Sequence, residues 1–201
     1  MVNRGDHCFV ALAVTVEFAL LALAVGAGLL LGVSPLEVLD FGWADLALGF
    51  GATVPLVVIL LGMTRLRWRP IERLVRSVET FALPLFSGCG VPQLVLVAVA
   101  AGVGEEALFR GLLQGGLAAI GPTPVAVVMT AALFGLVHFV SVGYAVAAGL
   151  VGLYLGVLVT WTGGLVSAMV AHATYDFVAL LFISGRLAPL LPAPFDGPVR
   201  T

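Results

Sequence analysis

Long apolar stretches, separated by short polar or glycine- and proline-containing segments, run along the whole chain. A membrane-spanning helix needs about 20 consecutive residues that are mostly apolar. The stretches predict six transmembrane helices, at Cys8–Val33, Ala44–Met63, Pro92–Ile120, Pro122–Val140, Tyr144–Trp161 and Leu165–Ser184. The pattern therefore indicates an all-α, polytopic helical membrane protein, with residues 1–201 in a single membrane domain.

One strongly polar segment, Arg65–Thr80, separates the second and third predicted spans. Apolar residues recur in it with a helical period, which predicts a cytoplasmic amphipathic helix on the membrane surface. Five of the nine basic residues of the chain lie there, namely Arg65, Arg67, Arg69, Arg73 and Arg76. The positive-inside rule places such a segment in the cytoplasm. With six spans, both termini are then cytoplasmic.

The connecting segments fit the same topology. The loop Ser34–Asp45 holds Glu37, Asp40 and Asp45 and is expected on the outer side of the membrane. The segment Phe81–Val91, with Pro84 and two glycines, is predicted to be a turn into the third span, and the proline-rich tail from Gly185 is predicted to be irregular.

Composition supports a membrane protein and argues against a soluble domain. The chain is 61% hydrophobic and 10% charged, whereas soluble domains carry about 25% charged residues. A net charge of −2 gives no indication of nucleic-acid binding, so the lipid bilayer is the partner that composition predicts. The two cysteines, Cys8 and Cys89, match no metal or redox spacing.

Charged residues inside the apolar stretches are the candidates for chemistry, because each costs about 3 kcal/mol at the centre of a membrane helix. The third predicted span holds Glu105, Glu106 and Arg110. Glu106 and Arg110 are four residues apart on a helix and can form an ion pair. Glu105 is rotated by about 100° from Glu106. One carboxylate is therefore expected to be held by the arginine, while the other points elsewhere.

The later spans add three ionisable side chains, His138, His172 and Asp176. His172 and Asp176 share one helical face, where an aspartate can orient an imidazole. We expect these residues and the acidic pair to form one functional site. Glu17, in the first span, is expected to be neutral or to pair with Arg110 or with another helix.

Two kinds of hydrolytic chemistry suit these residue types. A carboxylate and an imidazole together can draw a proton from water, and a second imidazole can donate to an oxyanion. Alternatively, Glu105, His138 and His172 can hold a divalent metal such as zinc, with an open position for water. The residues alone leave both mechanisms open, so no cofactor is assigned.

Other classes of intramembrane protease fit less well. The chain has no His-Glu-x-x-His zinc helix and no serine in a Gly-x-Ser-x-Gly setting. The pair Tyr175-Asp176 is similar to the Tyr-Asp of aspartyl intramembrane proteases, but no second membrane aspartate completes a dyad.

Three motifs in order carry a family resemblance. The chain resembles the CAAX protease and bacteriocin-processing family of membrane proteases, also called type II CAAX prenyl endopeptidases or the abortive-infection family. The resemblance covers about Val91–Phe182, with residues 91–184 as the catalytic helices, and rests on Glu105-Glu106-x-x-x-Arg110, Phe134-x-x-x-His138 and His172-x-x-x-Asp176.

The resemblance implies a role for each motif. Glu105 and His138 would activate the hydrolytic water. Glu106 and Arg110 would shape the site or hold the catalytic glutamate. His172 would stabilise the oxyanion together with the residue at position 176. The family has been described both as metalloproteases and as glutamate-type proteases, so the resemblance leaves a metal requirement open.

Position 176 departs from the family pattern. The family often has asparagine there, whereas this chain has Asp176. An ionised aspartate cannot donate a hydrogen bond to an oxyanion. Asp176 is therefore expected either to be protonated or to act through His172.

The resulting hypothesis is an intramembrane endopeptidase that cleaves a peptide or the tail of a membrane-associated, prenylated-type protein. The alternative is a transporter or proton-coupled channel that uses the same residues as a relay, and a third possibility is a membrane scaffold. A transporter would more often show an inverted repeat, and none is evident in the sequence.

One geometric difficulty concerns the depth of His138. Glu105 is expected roughly 20 Å above the cytoplasmic end of its span at a rise of 1.5 Å per residue, whereas His138 is only two residues before the Ser141–Gly143 link. Either the third span starts later than Pro92, or the link lies deep within a water-filled cavity. The second arrangement is preferred, because charged groups and a hydrolytic water need such a cavity.

Overall fold

The protein is described here by a computed structural model, which covers residues 4–35, 39, 41–66 and 68–187, without the side chains of residues 4–8. Seven helices and no strand occur within these ranges. They are α1 Arg4–Leu31, α2 Trp43–Arg65, α3 Arg69–Phe86, α4 Val91–Ile120, α5 Thr123–Val137, α6 Val142–Thr162 and α7 Val166–Ile183. The predicted all-α fold class is confirmed.

Five of these helices, α1, α2, α4, α6 and α7, are long and apolar enough to cross a membrane. Helix α5, the fourth predicted span, has only 15 residues. Parts of the predicted topology lie outside the described residues, namely Glu37, Asp40, Arg67, the side chains of Arg4 and Cys8, and the tail beyond residue 187.

The helix ends follow local sequence signals. Proline occupies the first turn of α3, α4 and α5, where its missing N–H removes no helical hydrogen bond. Ser141 begins α6 by accepting a hydrogen bond from the Tyr144 backbone N–H at 3.2 Å. Gly163 ends α6 with a φ of 73°, a left-handed conformation that suits glycine.

The amphipathic helix α3 continues further than the sequence predicts. It ends at Phe86, so the prediction of a turn over Phe81–Val91 is wrong for its first six residues. Pro84 lies in the last turn, where it cannot donate to the carbonyl four residues earlier. The helix nevertheless continues, and the Ser87 N–H bonds to the Leu83 carbonyl at 2.9 Å.

Helices α4 and α7 form the centre of the protein. Half of the most apolar window of α4 is buried within the protein, against 11% for α1. Glycines permit the close crossings. A Cβ atom at Gly102 of α4 would lie 2.8 Å from the Met169 carbonyl oxygen of α7, and one at Gly49 of α2 would lie 2.8 Å from that of Ser167. Small residues at contacts are what membrane helix packing favours.

The central helix α4 changes its winding directly after the acidic pair. Residues Ala107–Gln114 form a π-helical segment, a feature that is rare and often found at functional sites. Most side chains in this segment are buried, including those of Arg110 and Gln114. The π-helical segment therefore lies where α4 directs buried polar side chains toward the helices around it.

The depth of His138 follows from the hairpin formed by α4 and α5. The two helices are antiparallel around Gly121–Pro122, and Glu105 and His138 each lie fifteen positions from the helix end beside that turn. They are therefore level with one another. Because α5 stops there, the Ser141–Gly143 link is level with the middle of α4. Helix α4 begins at Val91, so the other arrangement, a third span that starts later than Pro92, is wrong. The hydroxyls of Ser77 in α3 and Ser141 share a hydrogen bond of 2.9 Å.

Candidate active site

Glu106 is the hub of a buried polar cluster. Its side chain has no exposed surface, and its Oε1 atom accepts hydrogen bonds from Arg110 Nη1 at 2.6 Å and from His172 Nδ1 at 2.8 Å. The side chains of Arg110 and His172 are at most 5% exposed. The carboxylate thus fixes two neighbouring helices, α4 and α7, at the level of the site.

Glycines on α6 make room for the polar side chains of the π-helical segment. Arg110 Nη2 donates to the Gly152 carbonyl at 2.9 Å, and Gln114 Nε2 donates to the Gly156 carbonyl at 3.0 Å. A Cβ atom at Gly156 would lie 2.7 Å from Gln114 Oε1. A side chain at position 156 would displace the Gln114 amide, which is bonded to the Gly156 carbonyl. The glycines of α6 therefore lie where α4 carries its polar side chains.

Glu105 lies on the other side of the cluster, between two imidazoles. Its Oε1 is 3.4 Å from His138 Nε2, and its Oε2 is 3.9 Å from His172 Nε2. His138 Nδ1 donates to the Phe134 carbonyl at 2.8 Å, which leaves Nε2 to face Glu105. Both distances exceed those of well-formed hydrogen bonds, so Glu105 is near its partners without being locked to them.

Asp176 completes the cluster one helical turn beyond His172. Its Oδ2 is 3.4 Å from His172 Nε2, and its side chain is 32% exposed. The ring of His172 thus lies between two carboxyls, with Nδ1 toward Glu106 and Nε2 toward Asp176. A ring with an acceptor on each side can keep an N–H at both nitrogens.

A cavity of about 180 Å³ adjoins these residues. Its wall is mostly apolar and comes from α2, α3, α5, α6 and α7. The polar lining includes His138, His172, Asp176 and, on α3, Glu79. A water molecule takes up about 30 Å³, so the cavity has room for about six waters or for one substrate side chain. The site is therefore reachable by water and by a small part of a substrate.

All six candidate residues from the sequence come together. Arg110 pairs with Glu106, as their spacing predicts, so the alternative pairing of Arg110 with Glu17 does not occur. Asp176 was expected either to be a donor or to act through His172, and Glu106 makes the shorter contact with the His172 ring. The spacing of Glu106 and Arg110 predicts their pairing, but the approach of α7 that adds His172 is a tertiary contact.

Phe134 is a site residue for which the sequence suggested no role. Its ring stacks on His138 with centroids 4.3 Å apart, and the Arg110 guanidinium carbon lies 4.5 Å from its centroid. It also makes an edge contact with His172 at 5.9 Å. Stacking and cation–π contacts of this kind fix ring orientation. The available signal was its spacing, four residues before His138.

The candidate metal ligands do not form a metal site in this geometry. Glu105 lies between His138 and His172 and directs one oxygen toward each. Among the described residues, no group of three or more histidine, cysteine or acidic side chains is arranged so that it could hold a metal ion. The residues as placed do not fit a bound metal, so no step is derived through one.

The fold and the site together define a helical membrane protein with a buried carboxylate–imidazole cluster. Residues 87–178 match the model of the family described as type II CAAX prenyl endopeptidase Rce1-like. This match confirms the family resemblance seen in the three motifs, and all six candidate residues lie within it. The family implies protease activity in general terms.

Comparison with curated proteins gives a relative of unassigned activity. The chain is 25% identical over 132 residues to a Bacillus subtilis (strain 168) protein named "Uncharacterized protein YpbD". The match covers 64% of this chain and 65% of the relative, so the chain spans slightly less than two thirds of that protein's length. No solved structure matches the chain.

Proposed function

We propose that the protein is an intramembrane endopeptidase that hydrolyses peptide bonds in peptides or membrane-associated proteins of the prenylated type. The observation that carries the proposal is the position of Glu105 between the His138 and His172 imidazoles, both of which line the cavity. The match of residues 87–178 to the Rce1-like family supports the same reaction.

Glu105 acts as the general base in this proposal. A water held between Glu105 Oε1 and His138 Nε2 loses a proton to the carboxylate, and its oxygen attacks the peptide carbonyl. Glu105 then returns the proton to the leaving nitrogen as the carbon–nitrogen bond breaks, so a carboxylic acid and an amine leave the site. His138 keeps its orientation through its bond to the Phe134 carbonyl, and so holds the water in line.

His172 and Asp176 stabilise the oxyanion. Glu106 orients the His172 ring through Nδ1, so Nε2 is directed toward Asp176 and the cavity. An N–H at this nitrogen and a protonated Asp176 would supply two donors where charge develops. Arg110 holds Glu106 in place, and therefore acts as a positioning residue.

We propose a glutamate-type mechanism rather than a metal-dependent one, because the base role already engages Glu105 and the candidate ligands do not converge. Purified protein should keep its activity in the presence of a chelator. About one equivalent of zinc per active chain by elemental analysis, with loss of activity on chelation and recovery on adding zinc, would reverse this preference.

The proposed activity is tested with purified protein in detergent and a library of peptides, including farnesylated peptides with an apolar tail. Mass spectrometry should detect two new peptide termini at one bond, and the Glu105→Gln variant should produce neither. Absence of cleavage, together with ion or proton flux in liposomes that the same variant abolishes, would favour the transporter alternative.

We propose that the protein lies in the cell membrane, with α3 and both termini in the cytoplasm. The support is the arginine content of α3 and of the segment before it. A cysteine introduced as Trp68→Cys, in a chain whose own two cysteines are replaced by alanine, should resist an impermeant thiol reagent in intact cells. Labelling from outside would overturn this orientation.

A further inference from the structure

Glu17 is a half-buried acid for which the proposed mechanism has no role. It lies in the middle of α1, and its Oε2 atom is buried and has no hydrogen-bond partner within the described ranges. Among the same residues, no basic side chain lies within ion-pair distance of it, since Arg110 is engaged with Glu106 and with the Gly152 carbonyl. An unpaired carboxylate is costly in a low-dielectric environment. We therefore treat Glu17 as a neutral, protonated acid.

The crossing of α1 and α4 brings Glu17 next to the catalytic helix. A Cβ atom at Gly104 would lie 2.4 Å from the Glu17 carbonyl oxygen and 3.2 Å from its Oε2. Any side chain at position 104 would therefore push α1 away. Glycine at this position lets the Glu17 carboxyl lie against the residue that precedes Glu105.

The carboxyl of Glu17 lies within electrostatic range of the site. The charged groups with which it interacts electrostatically are, in order of decreasing strength, Glu105, His172, Asp176 and His138. All four belong to the cluster described above. The strongest of these interactions is with the proposed base.

Glu105, like Glu17, has a carboxyl oxygen without a hydrogen-bond partner among the described residues. Within the described residues its Oε2 atom is buried without a hydrogen bond, because His172 Nε2 at 3.9 Å is beyond hydrogen-bonding distance. The crossing of α1 thus brings the unbonded Glu17 Oε2 against Gly104, the residue before Glu105. Buried polar atoms are normally satisfied, either directly or through an ordered water.

We propose that Glu17 is a positioning residue for Glu105, an inference that rests on the proposed endopeptidase function. Its protonated carboxyl donates a hydrogen bond toward Glu105 Oε2, directly or through one water molecule. This bond holds the base with Oε1 facing His138. A neutral donor does so without adding a second negative charge beside the ionised Glu105.

Three variants test the role. Glu17→Gln keeps a neutral N–H donor and should retain most of the wild-type kcat. Glu17→Leu removes the donor, and kcat should fall about 10- to 100-fold with little change in KM, as is typical for loss of a hydrogen-bond partner behind a functional group. Thr15→Val is the matched control, because Thr15 is an exposed residue of the same helix that bonds only to the Ala11 carbonyl. It should behave as wild type.

The inference is overturned if Glu17→Leu turns over like wild type, or if Glu17→Gln loses as much activity as Glu17→Leu. Infrared difference spectra of wild type against Glu17→Gln give a readout that needs no catalysis. The carbonyl stretch of a buried protonated carboxyl should be present in wild type and missing from the variant. Its absence from wild type would overturn the inference even if Glu17→Leu fails to fold. Absence of peptide cleavage by the wild type, in contrast, counts against the proposed function.

Discussion

The two adjacent glutamates of α4, Glu105 and Glu106, belong to two halves of the site that differ in contact distance and in side-chain exposure. Glu106, Arg110 and His172 form an enclosed half, with contacts of 2.6 and 2.8 Å and at most 5% exposure of each side chain. Glu105, His138 and Asp176 form an open half, with side-chain exposures of 10%, 25% and 32%. One step along a helix separates the two environments.

The difference indicates that the two halves of the site have different roles. Contacts in the enclosed half are short and charge-assisted, which makes them strong and geometrically exact. In the open half, Glu105 and His138 are 3.4 Å apart, Asp176 is 3.4 Å from His172, and both His138 and Asp176 line the cavity. A water or substrate atom can reach His138 and Asp176 from the cavity. The enclosed half therefore supports the architecture of the site, and the open half is available for chemistry.

The largest effect on turnover is expected from Glu105→Gln. The amide cannot accept a proton from water, so kcat should fall by about 10²–10⁴-fold. Because Glu105 has only loose contacts, the apparent melting temperature should remain near that of wild type. Peptide cleavage and thermal unfolding in detergent measure the two quantities. Normal cleavage by this variant would assign the base to another residue.

Glu106→Gln should instead damage stability together with activity. It leaves Arg110 buried without its ionised partner, which typically costs about 3–5 kcal/mol. Thermal unfolding and size-exclusion profiles should show the loss directly. If the variant matches wild type in melting temperature while losing turnover, the enclosed half has a catalytic role rather than a structural one.

A double variant sharpens the same test. Glu106→Gln with Arg110→Met removes both charges of the enclosed pair, so part of the lost stability should return. Turnover should not return, because His172 still lacks the carboxylate that orients its ring. Recovery of turnover in the double variant would contradict the positioning role of Glu106.

A smaller effect is expected from Asp176→Asn. Glu106 already orients His172 through Nδ1, so Asp176 is not needed for that purpose, and we expect it to act as a donor. Asparagine always carries a donor, so activity should survive. Asp176→Leu, which removes the donor, should lower kcat by about 10²–10³-fold. A large loss at every pH in the asparagine variant would contradict the donor role.

Sequence reasoning located the helices and the six polar side chains because both signals are local. An apolar run predicts a span, and charges within such a run stand out. The depth of His138 was less accessible, because it depends on α5 ending after only 15 residues. When residues are counted from the Gly121–Pro122 turn, and not from the opposite ends of two spans assumed to be full-length, Glu105 and His138 lie at the same depth.

The remaining features depend on contacts between distant segments. Nothing near Glu106 in the sequence indicates that His172 also bonds to it, because that contact requires α7 to pack on α4. The approach of Glu17 to Gly104 likewise depends on how α1 crosses α4. Spacing within one helix can be read from the sequence, whereas the choice of partner across helices requires the packed structure.

The smallest effect is expected at Glu79, in the cavity wall on α3 and outside the membrane spans. Burial raises the pKa of the Glu79 carboxyl above its usual value, and Arg76 partly opposes the rise. The folded state then holds the proton more tightly than the unfolded state, so the melting temperature should fall as pH increases from the usual carboxyl pKa through the raised one. Glu79→Gln should remove that part of the pH dependence and be slightly more stable than wild type at neutral pH.

Melting curves across this pH range, with Glu72→Gln on the same helix as the control, measure the difference. Identical pH dependence of the melting temperature in wild type and Glu79→Gln would show that burial of the Glu79 carboxyl in the cavity wall does not destabilise the folded state.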